Sequence, residues 1–164
     1  MSAVPREMRA LEALTIASLD DVLGVERAAY EFPWTRGNFI DALAAGYWAQ
    51  RLVDDAGRLL GYVVAMQGVD EMHLLNLTVA PPHQGAGHAS WLLGALVAHC
   101  RALGDRQLWL EVRVSNARAQ AIYRRYGFRD IGVRKGYYPA AQQQREDARV
   151  MSLAIAQEGD DALG

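Results

Sequence analysis

The spacing of apolar residues changes several times along the chain, and each change predicts an element. Residues 8–14 alternate loosely and read as a first strand. Ser18, with Asp20 and Asp21 in the turn that follows, opens a helix running to about Tyr30. Phe32-Pro33-Trp34 stops that helix, because proline restricts the residue before it and has no N–H to donate. Thr35 caps a second short helix through Ala44. Residues 47–53 and 59–67 read as a hairpin turning at Asp54-Asp55-Ala56-Gly57, and residues 71–80 add a strand.

Beyond Gly87 the apolar positions go almost all the way round: Trp91, Leu92, Leu93, Ala95, Leu96, Val97, Ala98 and Cys100. A helix of that kind is buried, here against a sheet. Gly104-Asp105 ends it and residues 107–112 return as a strand, so the spacing implies a right-handed crossover between parallel strands. Residues 116–126 form the last helix, closing at Gly127 where a left-handed cap is favoured. Residues 128–137 and 145–155 pair as terminal strands, joined by 138–144, and the small, acidic stretch 157–164 is expected to fray. No repeat or linker divides residues 1–164, so one domain is expected, with its core at about 8–156. The fold class is α/β (α+β by some schemes): a mixed central sheet of about six to seven strands with helices on both faces.

Bulk composition narrows the function. A chain of 164 residues can bury about two-thirds of its unfolded surface, and 51% hydrophobic with 22% charged residues excludes a disordered or fibrous class. No apolar run approaches the ~20 residues of a membrane span, and the N-terminus lacks the apolar stretch of a signal peptide. The single cysteine, Cys100, permits no internal disulfide and suits a reducing cytosol, so a cytoplasmic protein is expected. A net charge of −2 argues against a nucleic-acid surface. The densest basic group, Arg113, Arg118, Arg124, Arg125 and Arg129, reads as a solvated helix face. His73, His83, His88 and His99 offer no ligand pair on one face, so no metal is expected, and Cys100 reads as a core residue.

Two places carry chemistry. An apolar strand at 74–80 leads into Gln84-Gly85-Ala86-Gly87-His88-Ala89-Ser90 and then the buried helix. Small residues there let an anionic ligand reach bare N–H groups at the helix start. A dinucleotide loop would need Gly or Ala where Ser90 stands, and a P-loop would need a lysine, so neither fits. In the second place, Glu111 is a lone acid among Trp109, Leu110 and Val112, where alternation sets it on the face opposite Leu110 and Val112. Read alone, it is either a base or an edge-strand glutamate paired with Arg113 or solvent. Tyr123, on the stripe of Ala119 and Tyr126, is either an acid or a core tyrosine, and Asn116 is either a ligand contact or a cap.

Gln84-x-x-Gly87-x-Ala89, followed downstream by Asn116, resembles the acetyl-CoA loop of the Gcn5-related N-acetyltransferases. The resemblance implies that backbone at Gln84, Gly85, Ala86, Gly87, His88, Ala89 and Ser90 cradles the pyrophosphate of acetyl-CoA. It also implies that Leu77, Thr78 and Val79 offer strand backbone to the acetyl and pantetheine amides, with Asn116 near the pantetheine arm. Family members usually place Arg or Lys after the glutamine and again after the last small residue. This chain has Gly85, Ala86 and Ser90, so side-chain help to the phosphates is expected to be weaker. The segments 108–116 and 121–128 resemble the bacterial RimI type, whose members acetylate the N-terminal alanine of the eighteenth small-subunit ribosomal protein. By position Glu111 is then the general base and Tyr123 the general acid. Phe32-Pro33-Trp34, and Tyr137-Tyr138-Pro139 with Arg145-Glu146-Asp147, resemble the flanks of that type. They imply an acceptor slot walled by Phe32, Trp34, Tyr137 and Tyr138 for a protein N-terminus, with no metal, nucleic acid or membrane involved. The rival readings are acetylation of a small amine, such as a polyamine or an antibiotic, and a non-catalytic acetyl-CoA-binding regulatory module.

Overall fold

The computed structural model describes residues 8–157. Seven strands form one mixed sheet: β1 Ala10–Ala13, β2 Trp48–Val53, β3 Leu59–Gln67, β4 Glu71–Val79, β5 Gln107–Arg113, β6 Arg129–Pro139 and β7 Arg145–Ala154. Their order across the sheet is β1-β2-β3-β4-β5-β7-β6, so the last strand in the chain is inserted between β5 and β6. Four helices flank it: α1 Leu19–Ala29, α2 Arg36–Ala44, α3 His88–Ala102 and α4 Ala117–Tyr126. The expected residues at 158–164 lie outside the described residues.

Each helix covers one face because of its apolar stripe. Leu19, Val22 and Leu23 of α1 and Phe39 and Ala42 of α2 pack on Ala49, Tyr62 and Val64. Leu92, Leu93, Leu96, Val97 and Cys100 of α3 pack on Leu60, Val63, Met72, Leu108 and Leu110 on the opposite face. The crossover through α3 makes β4 and β5 parallel, while the other neighbouring strands run antiparallel.

Two helix starts differ in chemistry. Thr35 and Asn38 cap α2 reciprocally, the Asn38 amide donating to the Thr35 hydroxyl at 3.1 Å and the Thr35 amide to Asn38 Oδ1 at 2.9 Å. Ser18, expected as a side-chain cap of α1, instead donates its hydroxyl to the Thr15 carbonyl at 2.8 Å. A short 3-10 turn over Ile16–Ser18 precedes α1 and takes up that hydroxyl.

Two irregularities position the site. Val64 pairs with Asn76 but Ala65 pairs with Leu74, which leaves Leu75 as an extra residue in β4. The bulge reverses the strand's facing: Met72 and Leu74 join the α3 side, whereas Asn76 and Thr78 turn toward α1. The parallel ladder to β5 ends at Leu74 and Leu110, although β4 runs on to Val79 and β5 to Arg113. Beyond those leucines the strands part. In the β6–β7 pair, residues 135–137 oppose Asp147 alone, with Gly136 at φ +58°, and this bulge brings Tyr138 over the end of β5.

Candidate active site

A cleft of about 780 Å³ follows the gap between β4 and β5. One end is built by the loop into α3. Gly85 and Gly87 have φ of +85° and +83°, a region costly for residues with a Cβ, and a Cβ built at either meets no protein atom within 4 Å. Trp91 makes the first main-chain bond of α3, to Gly87 at 3.1 Å, so the amides of the three preceding residues lie ahead of the helical ladder. Of the residues expected at this end, Leu77, Thr78, Val79, Gln84, Gly85, Gly87, His88, Ala89, Ser90 and Asn116 line the cleft. Ala86 does not: it is exposed at the tip between the two left-handed glycines. Asn116 also caps α4, its Oδ1 accepting from the Ala119 amide at 3.1 Å, so both readings of that residue hold geometrically.

The sequence leaves this end without cations at 85, 86 and 90, but α4 supplies two. Arg118 and Arg125 line the cleft two turns apart, with Ile122 between them. Arg118 Nη1 donates to Gln84 Oε1, and Gln84 Nε2 donates to the Val79 carbonyl at 3.2 Å, tying helix, loop and strand together. Neither arginine has a carboxylate partner among the described residues. Both are exposed, as the solvated-face reading expects, and they also line the cleft because α4 lies against the glycine loop. The signal was their seven-residue spacing, which placed them on one stripe.

Tyr123 lines the cleft from α4, with its ring 5.5 Å from that of Phe128. Burial pushes its phenol up, reinforced by Tyr30 and Tyr138, so the hydroxyl keeps its proton at neutral pH. Tyr30, missed in the sequence, lines the cleft at the end of α1 and contacts Thr78 Oγ1 at 2.8 Å. Burial raises its phenol to about 12.

Glu111 is not on the cleft wall. Its side chain is 4% exposed and lies on the α1 face, between His73 and Arg134. Because β5 is an interior strand, neither the edge position nor the Arg113 partner fits this residue. Arg113, two residues on, does line the cleft. Its guanidinium lies 5.0 Å from the centre of the Phe32 ring and 4.5 Å from that of Tyr138, and it donates to the Pro139 carbonyl at 2.7 Å and Glu146 Oε1 at 3.1 Å. The Ser115 amide donates to Glu146 Oε2 at 2.8 Å. The Ser115 side chain first, then its amide and Arg113, hold the Glu146 carboxyl below its usual range against the opposing effect of burial.

Of the four expected wall residues, Phe32 lines the cleft, and Tyr138 reaches it through Arg113, with Tyr137 edge-on behind at 4.8 Å. Trp34 does not join them. Its ring packs on Phe39 at 5.1 Å and lines a separate depression of about 320 Å³ with Asn38, Asp41, Ala42 and Tyr47. The Trp34 amide donates to Glu26 Oε2 at 2.9 Å, which turns the chain so that the indole faces α2. Glu26 is 1% exposed and also accepts from Tyr62 at 2.5 Å and Asn76 at 3.0 Å. Its signal in the sequence was an acid in the apolar stripe of Val22 and Leu23. Among the described residues no cluster of His, Cys, Asp or Glu is placed to hold a metal, and no helix is long and apolar enough to cross a membrane.

The profile described as "Acetyltransferase (GNAT) family" matches residues 19–128. A [ribosomal protein bS18]-alanine N-acetyltransferase of Haemophilus ducreyi is 34% identical over 145 residues, covering 88% of this chain and 99% of the relative. The Escherichia coli protein of the same description is 33% identical over 149 residues, covering 91% and 99%. The crystal structure of the ribosomal-protein-S18-alanine N-acetyltransferase from Escherichia coli superposes with a TM-score of 0.82 at 32% identity, covering 94% of this chain and 98% of that one.

Proposed function

The chain belongs to the acetyltransferase (GNAT) family and is an acyltransferase, and we propose that its acceptor is a protein N-terminal α-amine, foremost the alanine of ribosomal protein bS18. The observation that carries this reading is the open gap past Leu74 and Leu110, with an anion-binding loop at one end and an aromatic wall at the other. The relatives that span nearly their whole length with this chain are named for that reaction. A ribosomal-protein acceptor implies action in the cytoplasm.

The residues present suit acetyl-CoA, which supplies the activated acetyl group. Two left-handed glycines leave backbone bare at the start of α3, and Arg118 and Arg125 stand beside them with no acidic partner among the described residues. The exposed β4 backbone of Leu77, Thr78 and Val79 offers groups to the amides of the pantetheine arm. At the other end Phe32, Arg113 and Tyr138 form one stacked layer, held by Glu146. An extended peptide fits such a wall, with a small first side chain at the gap.

Glu111 is assigned the base, receiving a proton from the α-amine through water, because its carboxylate lies one residue pair behind Arg113 and off the wall. The amine nitrogen forms the amide bond to the acetyl carbon as the carbon–sulfur bond breaks. Tyr123 gives its proton to the departing thiolate, which its buried, protonated phenol is suited to do.

Labelled acetyl-CoA and two synthetic peptides test the reading. One peptide carries the bS18 alanine N-terminus, and the other has its α-amine blocked and an internal lysine free. Transfer to the first alone is expected. Transfer only to the blocked peptide, or to neither while acetyl-CoA still binds, overturns it.

A further inference from the structure

The environment of Glu111 contains a residue that the reaction as described leaves unused. His73 Nε2 lies 2.6 Å from Glu111 Oε2, and its imidazole stacks on Trp109 at 3.7 Å between ring centres and 9° between planes. The ring is 8% exposed. Against an ionised carboxylate the imidazole is the donor, so the neutral ring carries its proton on Nε2. The other oxygen, Oε1, accepts from Arg134 Nη1 at 3.0 Å. The two partners are held very differently. His73 is clamped by the indole inside the sheet, whereas the Arg134 side chain is 52% exposed and lies 5.3 Å from the Tyr137 ring at the edge of the sheet.

We propose that His73 is the positioning residue of the base: it fixes the Glu111 carboxylate with Oε2 tied and Oε1 as the working oxygen. This rests on the assignment of Glu111 as base. Arg134 is the partner that yields its place to the acceptor's water, because only that contact can open without disturbing the core. The charged and titratable groups on this face include Glu111 and Arg113 of β5, Arg134, Tyr137 and Tyr138 of β6, Glu146 of β7, Glu71 on the same strand as His73, and Glu26, Tyr30 and Tyr62 around α1. Glu146 is already engaged by Arg113 and Ser115, and Tyr137 by Arg134, which leaves His73 as the group that addresses Oε2 directly.

The test uses two substitutions and two readouts. His73→Gln keeps a donor near the Nε2 position, and His73→Phe keeps the stacked ring without the donor. With the alanine peptide and saturating acetyl-CoA, His73→Phe is expected to lower kcat about tenfold or more while acetyl-CoA affinity stays within about threefold. His73→Gln, which restores a donor, is expected to retain most of the wild-type kcat. Imidazole 15N spectra of the wild-type protein are expected to show the Nε2-protonated tautomer, and Glu111→Gln to abolish that preference. An unchanged kcat in His73→Phe, a kcat of His73→Gln as low as that of His73→Phe, or an Nδ1-protonated ring overturns the proposal. The spectra are independent of turnover, so a wild-type protein that fails to acetylate the peptide refutes the acceptor, while the tautomer still decides the His73–Glu111 pair.

Discussion

Leu74 and Leu110 are the last facing pair of the parallel β4–β5 ladder, and the cleft begins beyond them. Below this pair the strands are hydrogen-bonded and packed under α3; above it, each strand turns its free backbone and alternate side chains to the gap. The bulge at Leu75 is what makes the separation tolerable. It redirects Asn76 and Thr78 toward Glu26, so the upper half of β4 is held by side-chain bonds in place of a β5 partner. The site is therefore a gap in a sheet that is stabilised from one face.

Gly87→Val tests the loop against a matched control. Gly87 and Gly104 both have left-handed φ, +83° and +77°, and in both cases a new Cβ meets nothing within 4 Å. They cap opposite ends of α3, roughly 20 Å apart for a helix of this length. Valine at either site is expected to cost about 1–2 kcal/mol of stability through backbone strain. Only Gly87→Val is expected to abolish acetyl-CoA binding by calorimetry, because its side chain stands in the cleft. Normal binding by Gly87→Val would show that the loop is not the phosphate site.

Arg118→Ala and Arg125→Ala address the charge that the loop lacks. Both side chains are exposed, so screening limits their contribution, and each is expected to weaken acetyl-CoA binding about three- to tenfold. The double variant is expected to lose most of the salt dependence of the affinity. Arg129→Ala, outside the residues that line the cleft, is the control and is expected to bind as the wild type does. Equal effects of all three substitutions would mean that the charge acts diffusely and not at the cleft.

Local signals in the chain were legible and relational ones were not. The all-round apolar run after Gly87, the stop at Phe32-Pro33-Trp34 and the hairpin turn each depend on residues close in sequence, and they appear as α3, the end of α1 and the β2–β3 pair. The bulge was invisible because Leu75 is one more apolar residue in an apolar strand, and its extra place exists only relative to β3. That Arg118 and Arg125 also line the cleft was not visible, because Gln84, which Arg118 bonds, is 34 residues away in sequence. His73 likewise carries no local mark; its partner Glu111 stands 38 residues on and becomes a neighbour only through the parallel crossover.

Tyr123→Phe tests the proposed acid apart from the cofactor contacts. The ring stays against Phe128 and only the hydroxyl is lost. Turnover of the alanine peptide is expected to fall about 10²-fold or more, with acetyl-CoA affinity within about threefold. A fall in affinity that matches the fall in turnover would assign the hydroxyl to binding.

Several buried phenols predict an alkaline limit to stability. Burial raises Tyr30 to about 12 and pushes Tyr62, Tyr123 and Tyr138 up as well. In the unfolded chain a phenol releases its proton near pH ~10. Above that pH the folded state holds more protons than the unfolded state, so stability falls as pH rises. Below it neither state has lost these protons, and the phenols add no slope. Urea midpoints are expected to be flat with respect to these groups from pH 7 to 9 and to drop steeply beyond about pH 10. Tyr62→Phe is expected to make the drop shallower, and an unchanged slope would show that Tyr62 ionises freely in the folded protein.

Glu26 connects the buried face to the acceptor wall, and Glu26→Gln should uncouple them. The carboxylate accepts three donors from three elements: Tyr62 of β3 and Asn76 of β4 on Oε1, and the Trp34 amide on Oε2. A glutamine keeps one oxygen. If that oxygen stays with Tyr62 and Asn76, the new NH₂ group faces the Trp34 N–H, donor against donor, at a site 1% exposed. The expected cost is about 2–4 kcal/mol, with the strain concentrated where the chain leaves α1. Phe32 stands two residues before Trp34 and over Arg113, so loosening that segment disturbs the acceptor wall more than the glycine loop. Hydrogen exchange at the Trp34 amide is expected to quicken about tenfold or more, and KM for the alanine peptide to rise while acetyl-CoA affinity changes little. Unchanged exchange at Trp34 would mean that the loop is held by its proline and aromatic packing alone, and that Glu26 serves only the strands.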